Sequence, residues 1–278
     1  PKEQSLDLDA VTLAKVARGI IPPTSTAADD LPSWINLDLV RRGQEVFNKR
    51  GRALLLATMV SLMLGSRISR FADVLLYSPG AYCTSSQQTC RRFRDTAAHI
   101  TSWCLPENDL LDPNSTARKS LLQVRAMHLA ARRRVDELGR CDVGVPVSQY
   151  DLAIVLLAFS GMAVDYIRND VACDDFSDDE IEAFIHLWRF IGWLLGIEDD
   201  YNPCNTVTRC SDCLADLYLV LNLDAYINHD TSGSGEVLYN TVLTAFSGYG
   251  LGMGPTVTRG IPCIGCTKVG FAHPEMIP

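Results

Sequence analysis

A histidine interrupts the apolar stripe of one strongly patterned segment, residues 117–138. Its neighbours on the stripe are three or four residues apart, the spacing of one buried helix face. The stripe consists of Leu121, Val124, His128, Ala131 and Val135. We therefore expect His128 to point into the core. A single histidine in such a place is more often a hydrogen-bonded core residue than a metal ligand.

Two arginines flank this histidine. Arg125 lies three residues before His128 and Arg132 four residues after it, so both are its neighbours on the helix surface. Nearby cations disfavour a protonated imidazole and keep it neutral, which is the state that coordinates a metal. The guanidinium groups could also bind the carboxylates of a cofactor, such as a macrocycle with two propionates.

A second polar face lies on the predicted helix 88–104. Arg92, Thr96 and His99 are spaced i, i+4 and i+7 and share one side of it, beside an apolar stripe of Phe93, Ile100 and Trp103. A guanidinium, a hydroxyl and an imidazole could line a ligand pocket. Because charged faces are usually solvated, we predict that this face is in water.

A further histidine, His186, lies among aromatic residues. Trp188, Phe190 and Trp193 follow it at helical spacing, and buried aromatic side chains are typical of core packing. We predict that His186 is a hydrogen-bonding core residue outside the site.

Composition and motifs exclude several classes of function. The chain has 278 residues, 47% of them hydrophobic, and a net charge of −8, which indicates a folded protein that does not bind nucleic acid. It contains no Gly-x-Ser-x-Gly elbow, no His-Glu-x-x-His, no phosphate-binding loop and no repeated Glu-x-x-His pair. The glycines of the tail, Gly250, Gly252 and Gly254, lack the βαβ context of a dinucleotide site. His128 is therefore the centre of the best chemical hypothesis.

The elements that position these residues are predicted to be helices. Strand signals are scarce, and apolar residues recur at helical spacing along most of the chain. Ser148 and Ser177 each stand three residues before an acid and are expected to be N-caps. The first helix could be divided near Gly51. The predicted ranges are 36–64, 68–76, 88–104, 117–138, 152–167, 181–196, 214–227 and 237–246.

Ten cysteines bear on the compartment. The pairs Cys210-x-x-Cys213 and Cys263-x-x-Cys266 could hold zinc, but they lie farther apart than the pairs of a zinc ribbon. Disulfides, free thiols and zinc all stay open, with disulfides favoured, so we slightly favour an oxidising compartment, secreted or in the ER lumen, over the cytoplasm. The longest apolar stretch, 53–64, is shorter than the ~20 residues of a spanning helix, and no membrane span is predicted.

Four stretches, in their order and spacing, resemble the catalytic domain of the rubber oxygenases (latex-clearing proteins), a family that also includes the ER-bound oxygenase of mycophenolic acid biosynthesis. Together they extend over roughly residues 36–200. They are Arg91-Arg92-Phe93-Arg94-Asp95-Thr96, Val124-Arg125-Ala126-Met127-His128, Gly144 to Leu152 continuing into Leu156 to Ser160, and His186 to Gly196.

The resemblance implies an all-α, single-domain helical bundle that encloses a b-type haem. His128 would then be the axial ligand of the haem iron, and Arg125 and Arg132 are the expected partners of the haem carboxylates. Arg92 and Thr96 match the family's polar motif near the haem and are candidate catalytic residues, and Arg92 is also expected to bind the cofactor.

One position departs from the family pattern. Asp95 stands where the rubber-cleaving members have a lysine, so the role of that lysine is not carried over. The Asp95 carboxylate could itself act as a base, and Asp73 is a second candidate.

The resemblance also implies a reaction. We expect a haem-dependent oxygenase that uses O2 to oxidise or cleave a carbon–carbon double bond in a small apolar substrate, isoprenoid or another natural product. Two alternatives stay open: a haem enzyme that isomerises, dehydrates or cyclises its substrate, and a haem-free helical binding protein. The predicted organisation is an irregular segment 1–35, a haem-binding core 36–200, and further helices with a Cys/Gly-rich tail, 201–278.

Overall fold

The computed structural model describes residues 22–23, 31–66, 68–78, 85–139, 144–170 and 176–227. In these ranges the chain forms α-helices and one short 3₁₀ turn, and no strand. The all-α prediction is therefore confirmed. The helices are α1 (Leu37–Gly65), α2 (Ser69–Tyr77), α3 (Ser86–Cys104), α4 (Thr116–Glu137), α5 (Gln149–Phe159), α6 (Gly161–Asp170), α7 (Asp178–Leu195) and α8 (Val207–Ile227), with the 3₁₀ turn at Asp199–Tyr201.

The helix starts follow from their caps. Ser148 and Ser177 both form complete capping boxes, in which the serine accepts from a backbone N–H and the acid three residues later accepts from the serine's own N–H. Both predicted starts are confirmed. Asn36 caps α1 by accepting from two backbone N–H groups of its first turn.

Two predicted helix boundaries differ from the structure, and one open alternative is decided. Of the two possibilities for the first segment, one long helix or two, the structure has one helix, which runs through Gly51 without a division. The apolar stretch predicted as one helix, 152–167, is two helices, because the backbone at Ser160 leaves the helical region with φ −108° and ψ −88°. The eighth helix also begins earlier than predicted, at Val207. The predicted helix 237–246 and the glycine-rich tail lie outside the described residues.

The antiparallel pair of α1 and α7 forms the centre of the core. Gly43 allows the closest approach, because a Cβ atom there would lie 2.5 Å from the carbonyl oxygen of Ala183. Arg50, nearly buried, donates to Glu180 at 2.8 Å across the same interface. Trp188, Phe184 and Phe190 of α7 are among the largest fully buried side chains. A sizeable apolar core therefore holds these two helices in register.

His186 secures the start of this pair. Its Nε2 atom accepts a hydrogen bond of 3.0 Å from the backbone N–H of Asn36, and the ring meets Trp34 edge to face. Burial lowers the pKa of His186 to about 4, with a smaller contribution from the nearby Arg189 and an opposing one from Asp199. The prediction that His186 is a hydrogen-bonding core residue is confirmed.

One described stretch, Gln149–Arg168, is long and apolar enough to cross a membrane by length and composition. Within the protein 56% of it is buried, and the break at Ser160 interrupts it. A buried core helix passes the same test, so this stretch is weak evidence for a membrane span.

Of the ten cysteines, the structure shows Cys104, Cys204, Cys210 and Cys213 as free thiols. The disulfides favoured by the sequence are absent at these four positions. Within the described ranges, no group of three or more His, Cys, Asp or Glu side chains is placed to hold a metal ion. The zinc hypothesis also needs Cys263 and Cys266, which lie outside them.

Candidate functional site

A cavity of about 380 Å³ lies between α1, α2, α3, α4 and α5, with one residue each from α6 and α8 and two from α7 completing its wall. This volume is within the range of pockets that hold small organic ligands. Most of the lining is apolar, including Phe71, Val155, Phe159 and Met162. The polar side chains in the wall are few, so each has a large effect on what the cavity can bind.

Three of the predicted site residues meet in this cavity. Arg92 and Thr96 of α3 and His128 of α4 all line it, together with His99. The prediction that the face of Arg92, Thr96 and His99 is solvated is therefore wrong. α4 packs beside α3, and α2 packs on α4, so a face that the α3 sequence leaves polar is enclosed by other helices.

His128 is neutral at physiological pH. Burial lowers the pKa of its imidazole to about 4, and no contribution from Arg125 or Arg132 accompanies that of burial. The neutral state is therefore the expected one, but its cause is burial and not the two flanking arginines. The Nδ1 atom is buried and has no hydrogen-bond partner among the described residues. An imidazole in this state has an unused ring nitrogen and no charge to lose before it binds a metal.

The neighbouring polar groups are held by their own contacts. The hydroxyl of Thr96 donates to the backbone carbonyl of Arg92 at 3.0 Å, so its remaining capacity toward the cavity is that of an acceptor. The Oγ atom of Ser120 accepts from the indole N–H of Trp103 at 3.0 Å and lies 2.8 Å from Nδ1 of His99. His99 is thus fixed by a side chain of α4, the helix that carries His128.

Three predicted site residues lie elsewhere. Asp95 is exposed and does not line the cavity. Arg125 is buried outside the cavity lining, and its guanidinium donates to the carbonyl of Leu194, near the end of α7, at 3.0 Å. Arg132 is partly buried and does not line the cavity. The structure therefore does not bring the two flanking arginines of α4 to the cavity. Asp73 of α2 is also outside the lining.

The sequence analysis missed two polar groups of the lining. Trp188 was predicted to be core, and it is fully buried, but it also lines the cavity, and its indole N–H has no acceptor within the described part of the chain. Asp151 borders the cavity while its carboxylate accepts from the N–H and the hydroxyl of Ser148. The apolar run around Trp188 gave no signal of its second role. The capping pattern identified Asp151 only as a helix cap.

The part of the chain that forms the cavity matches a protein-family model. Residues 46–218, which are more than half of the chain, match the model described as "ER-bound oxygenase mpaB/B'/Rubber oxygenase, catalytic domain". The chain belongs to this family. All the cavity residues named above lie within the matched stretch, so the helices that build the cavity are those of the family domain.

A solved structure has a similar fold. It is described as latex clearing protein LCP in the closed state, and it superposes with a TM-score of 0.62 at 19% sequence identity. The match covers 86% of this chain and 60% of that chain. At this identity the likeness shows the fold, and the chain spans only about three fifths of that protein. No curated protein matches the chain.

Proposed function

We propose that this protein is a haem-dependent oxygenase that uses O2 to oxidise or cleave a carbon–carbon double bond in a small apolar substrate, isoprenoid or another natural product. The observation that carries the proposal is a neutral, partly buried imidazole that lines a mostly apolar cavity together with a guanidinium, in a chain of the rubber-oxygenase family.

The residues present fit a haem. Iron of b-type haem is commonly held by one axial histidine, and His128 offers a neutral imidazole in the wall of the cavity. Its Nδ1 atom is buried without a partner in the described structure, and an unsatisfied buried polar atom is costly unless a further group satisfies it. His128 is therefore the residue that would hold the iron.

When bound, haem would supply the iron that activates O2. The protein would supply a fixed cation, because Arg92 lies in the wall of the cavity. The hydroxyl of Thr96 already donates to the backbone carbonyl of Arg92, so it is not available as a second donor. A guanidinium positioned before the reaction stabilises negative charge that develops near it. Arg92 is the candidate catalytic residue of this chain, and Thr96 holds its backbone.

The apolar wall suits a hydrocarbon substrate. Phe71, Val155, Phe159 and Met162 offer no hydrogen bond to water, so an alkene gains by entering the cavity. Because the Asp95 carboxylate is outside the wall, the proposal assigns it no part in proton transfer.

The first test is the visible absorption spectrum of the purified protein, oxidised and reduced with dithionite. We expect a Soret band in the wild type and its loss or shift in His128→Ala. The matched control is His186→Gln, which removes another buried imidazole of lowered pKa but one bonded to Asn36 outside this cavity. A wild type that stays colourless after haemin is added would leave the haem-free binding protein as the better account.

The second test separates an oxygenase from a haem enzyme that isomerises, dehydrates or cyclises. An oligomer of isoprene is incubated with the haem-loaded protein, with and without O2, and the products are analysed for carbonyl groups. We expect carbonyl products and O2 uptake that both fall in Arg92→Gln. Turnover at the same rate without O2 would contradict the oxygenase assignment.

A further inference from the structure

Two thiols meet at the break between α5 and α6, away from the proposed haem ligand. The Sγ atom of Cys204 lies 3.1 Å from the hydroxyl of Ser160, the residue at the break. Cys210 of α8 approaches the next residue, Gly161, so closely that a Cβ atom there would lie 2.7 Å from its sulfur. Cys204 and Cys210 therefore contact two adjacent residues, Ser160 and Gly161, and the two thiols also interact directly with each other.

The surroundings favour a thiolate at Cys210. The hydrogen bond from Cys204 is the main cause of a lowered pKa of Cys210, against the opposing effect of burial, and Ser160 and the backbone N–H of Gly161 lower the pKa further. Gly161 is the first residue of α6, a helix of 10 residues, so the sulfur of Cys210 lies at a helix N-terminus. Burial raises the pKa of Cys204, which keeps its proton. Cys210 is thus prepared to attack an oxidant, and Cys204 is placed to form a disulfide with the oxidised Cys210.

Both thiols also border a second cavity of about 600 Å³, which opens to solvent. Asp165, Arg168, Glu182 and Arg189 line it, so it is wet and polar, unlike the proposed haem cavity. A small polar oxidant can reach the sulfur atoms through it, although each cysteine is almost fully buried.

We propose that Cys204 and Cys210 form a peroxide-reactive dithiol that closes to a reversible disulfide. The Cys210 thiolate attacks one oxygen of hydrogen peroxide, the O–O bond breaks, and hydroxide leaves to take up a proton as water. The Cys204 sulfur then attacks the sulfenic acid sulfur of Cys210, and the S–O bond breaks to release a second water. Two thiols are oxidised and one peroxide is reduced to two waters.

The disulfide would change the capping of α6. In the dithiol state the N–H of Gly161 donates to the Cys210 sulfur, and a sulfur in a disulfide is a weaker acceptor than a thiolate. α6 carries Met162, which lines the proposed haem cavity, and α8 carries Leu217, which does the same. Oxidation at the pair thereby reaches the cavity wall through two helices.

The test is peptide mapping of the purified full chain, reduced, desalted and exposed to hydrogen peroxide before the remaining thiols are alkylated. Trypsin cuts after Arg209, between the two cysteines, so a Cys204–Cys210 disulfide joins the peptides 190–209 and 210–259. We expect the joined peptides in oxidised wild type and their separation by dithiothreitol. Because 210–259 also contains Cys213, the joined peptides must persist in Cys213→Ser and vanish in Cys204→Ser.

Cys104 is the internal control in every sample. It is fully buried, lines neither cavity, and burial raises its pKa, so we expect the pair to be oxidised at least about tenfold faster than Cys104. Wild-type protein whose Cys204 and Cys210 stay fully alkylatable, or are lost only as fast as Cys104, would overturn the proposal. This readout needs no variant to fold, and it does not depend on bound haem.

Discussion

The hydrogen bond between His186 and the start of α1 should make folding sensitive to acid. In the folded chain Nε2 of His186 accepts from the backbone N–H of Asn36. A protonated imidazole has no free lone pair on Nε2, so its N–H would face the backbone N–H of Asn36 and the hydrogen bond would be lost. The perturbation is a fall in pH from 7.5 to 4, and the matched variant is His186→Gln, whose side-chain carbonyl can accept the same hydrogen bond at any pH.

The magnitude follows from the shift in pKa. The pKa of His186 falls from 6.5 to about 4, mainly because the ring is buried. As the pH falls below 6.5, the unfolded chain takes up a proton at His186 before the folded chain does, so stability is full above pH 6.5 and declines down to pH 4. The difference between the pKa of His186 in the unfolded and in the folded chain corresponds to roughly 3 kcal/mol of unfolding free energy. Below pH 4 both states are protonated and the loss stops.

The assay is urea unfolding followed by circular dichroism at several pH values, for wild type and His186→Gln. We expect the variant to be less stable by about 1 kcal/mol at pH 7.5, because its side chain lacks the edge-to-face contact with Trp34. Between pH 6.5 and 4 the wild type should lose roughly 3 kcal/mol more than the variant. Parallel pH profiles for the two proteins would refute the reasoning.

The remaining predictions concern α1 and its contacts. Gly43→Ala should lower the free energy of unfolding by about 1–3 kcal/mol, because the new Cβ atom would clash with the Ala183 carbonyl. Gly51→Ala, whose Cβ would make only ordinary contacts to Phe47, should raise the free energy of unfolding by about 0.5–1 kcal/mol. The urea midpoints of the two variants test both expectations. Glu180→Gln should cost roughly 3 kcal/mol in the same assay, because the nearly buried Arg50 loses its charge partner, and an unchanged midpoint would contradict this. Gly65→Leu should leave the circular dichroism spectrum unchanged but lower the Soret absorbance per chain, since Gly65 lines the proposed haem cavity and has open space at its Cβ position.

The local features of the fold could be predicted from the sequence. Ser148 and Ser177 cap helices through groups only three residues away, so their patterns are complete in the local sequence. The stripe that contains His128 also predicted that the imidazole points inward, and the side chain lines the interior cavity with its Nδ1 atom buried. Each of these inferences needed the chemistry of one helix and no knowledge of its neighbours.

The features that could not be predicted from the sequence depend on contacts between residues far apart in the chain. The break at Ser160 accompanies a contact with Cys204, 44 residues later, which no local pattern contains. The polar face of Arg92, Thr96 and His99 lines a cavity because other helices cover it, and the sequence of α3 alone could not reveal them. The place of Arg125 depends in the same way on the carbonyl of Leu194, 69 residues away.

The pairing of α1 with α7 has a consequence for synthesis on the ribosome. Asn36 and His186 are separated by 150 residues, and Gly43 meets Ala183 across a similar interval. α1 also contacts α3, α5 and α6, but the part of its apolar face that packs on α7 stays uncovered until most of the described chain has emerged, and closing so long a loop is slow. Nascent chains that stop before α7 should expose this face and aggregate or recruit chaperones, so truncations intended to isolate the haem-binding helices need to retain α7.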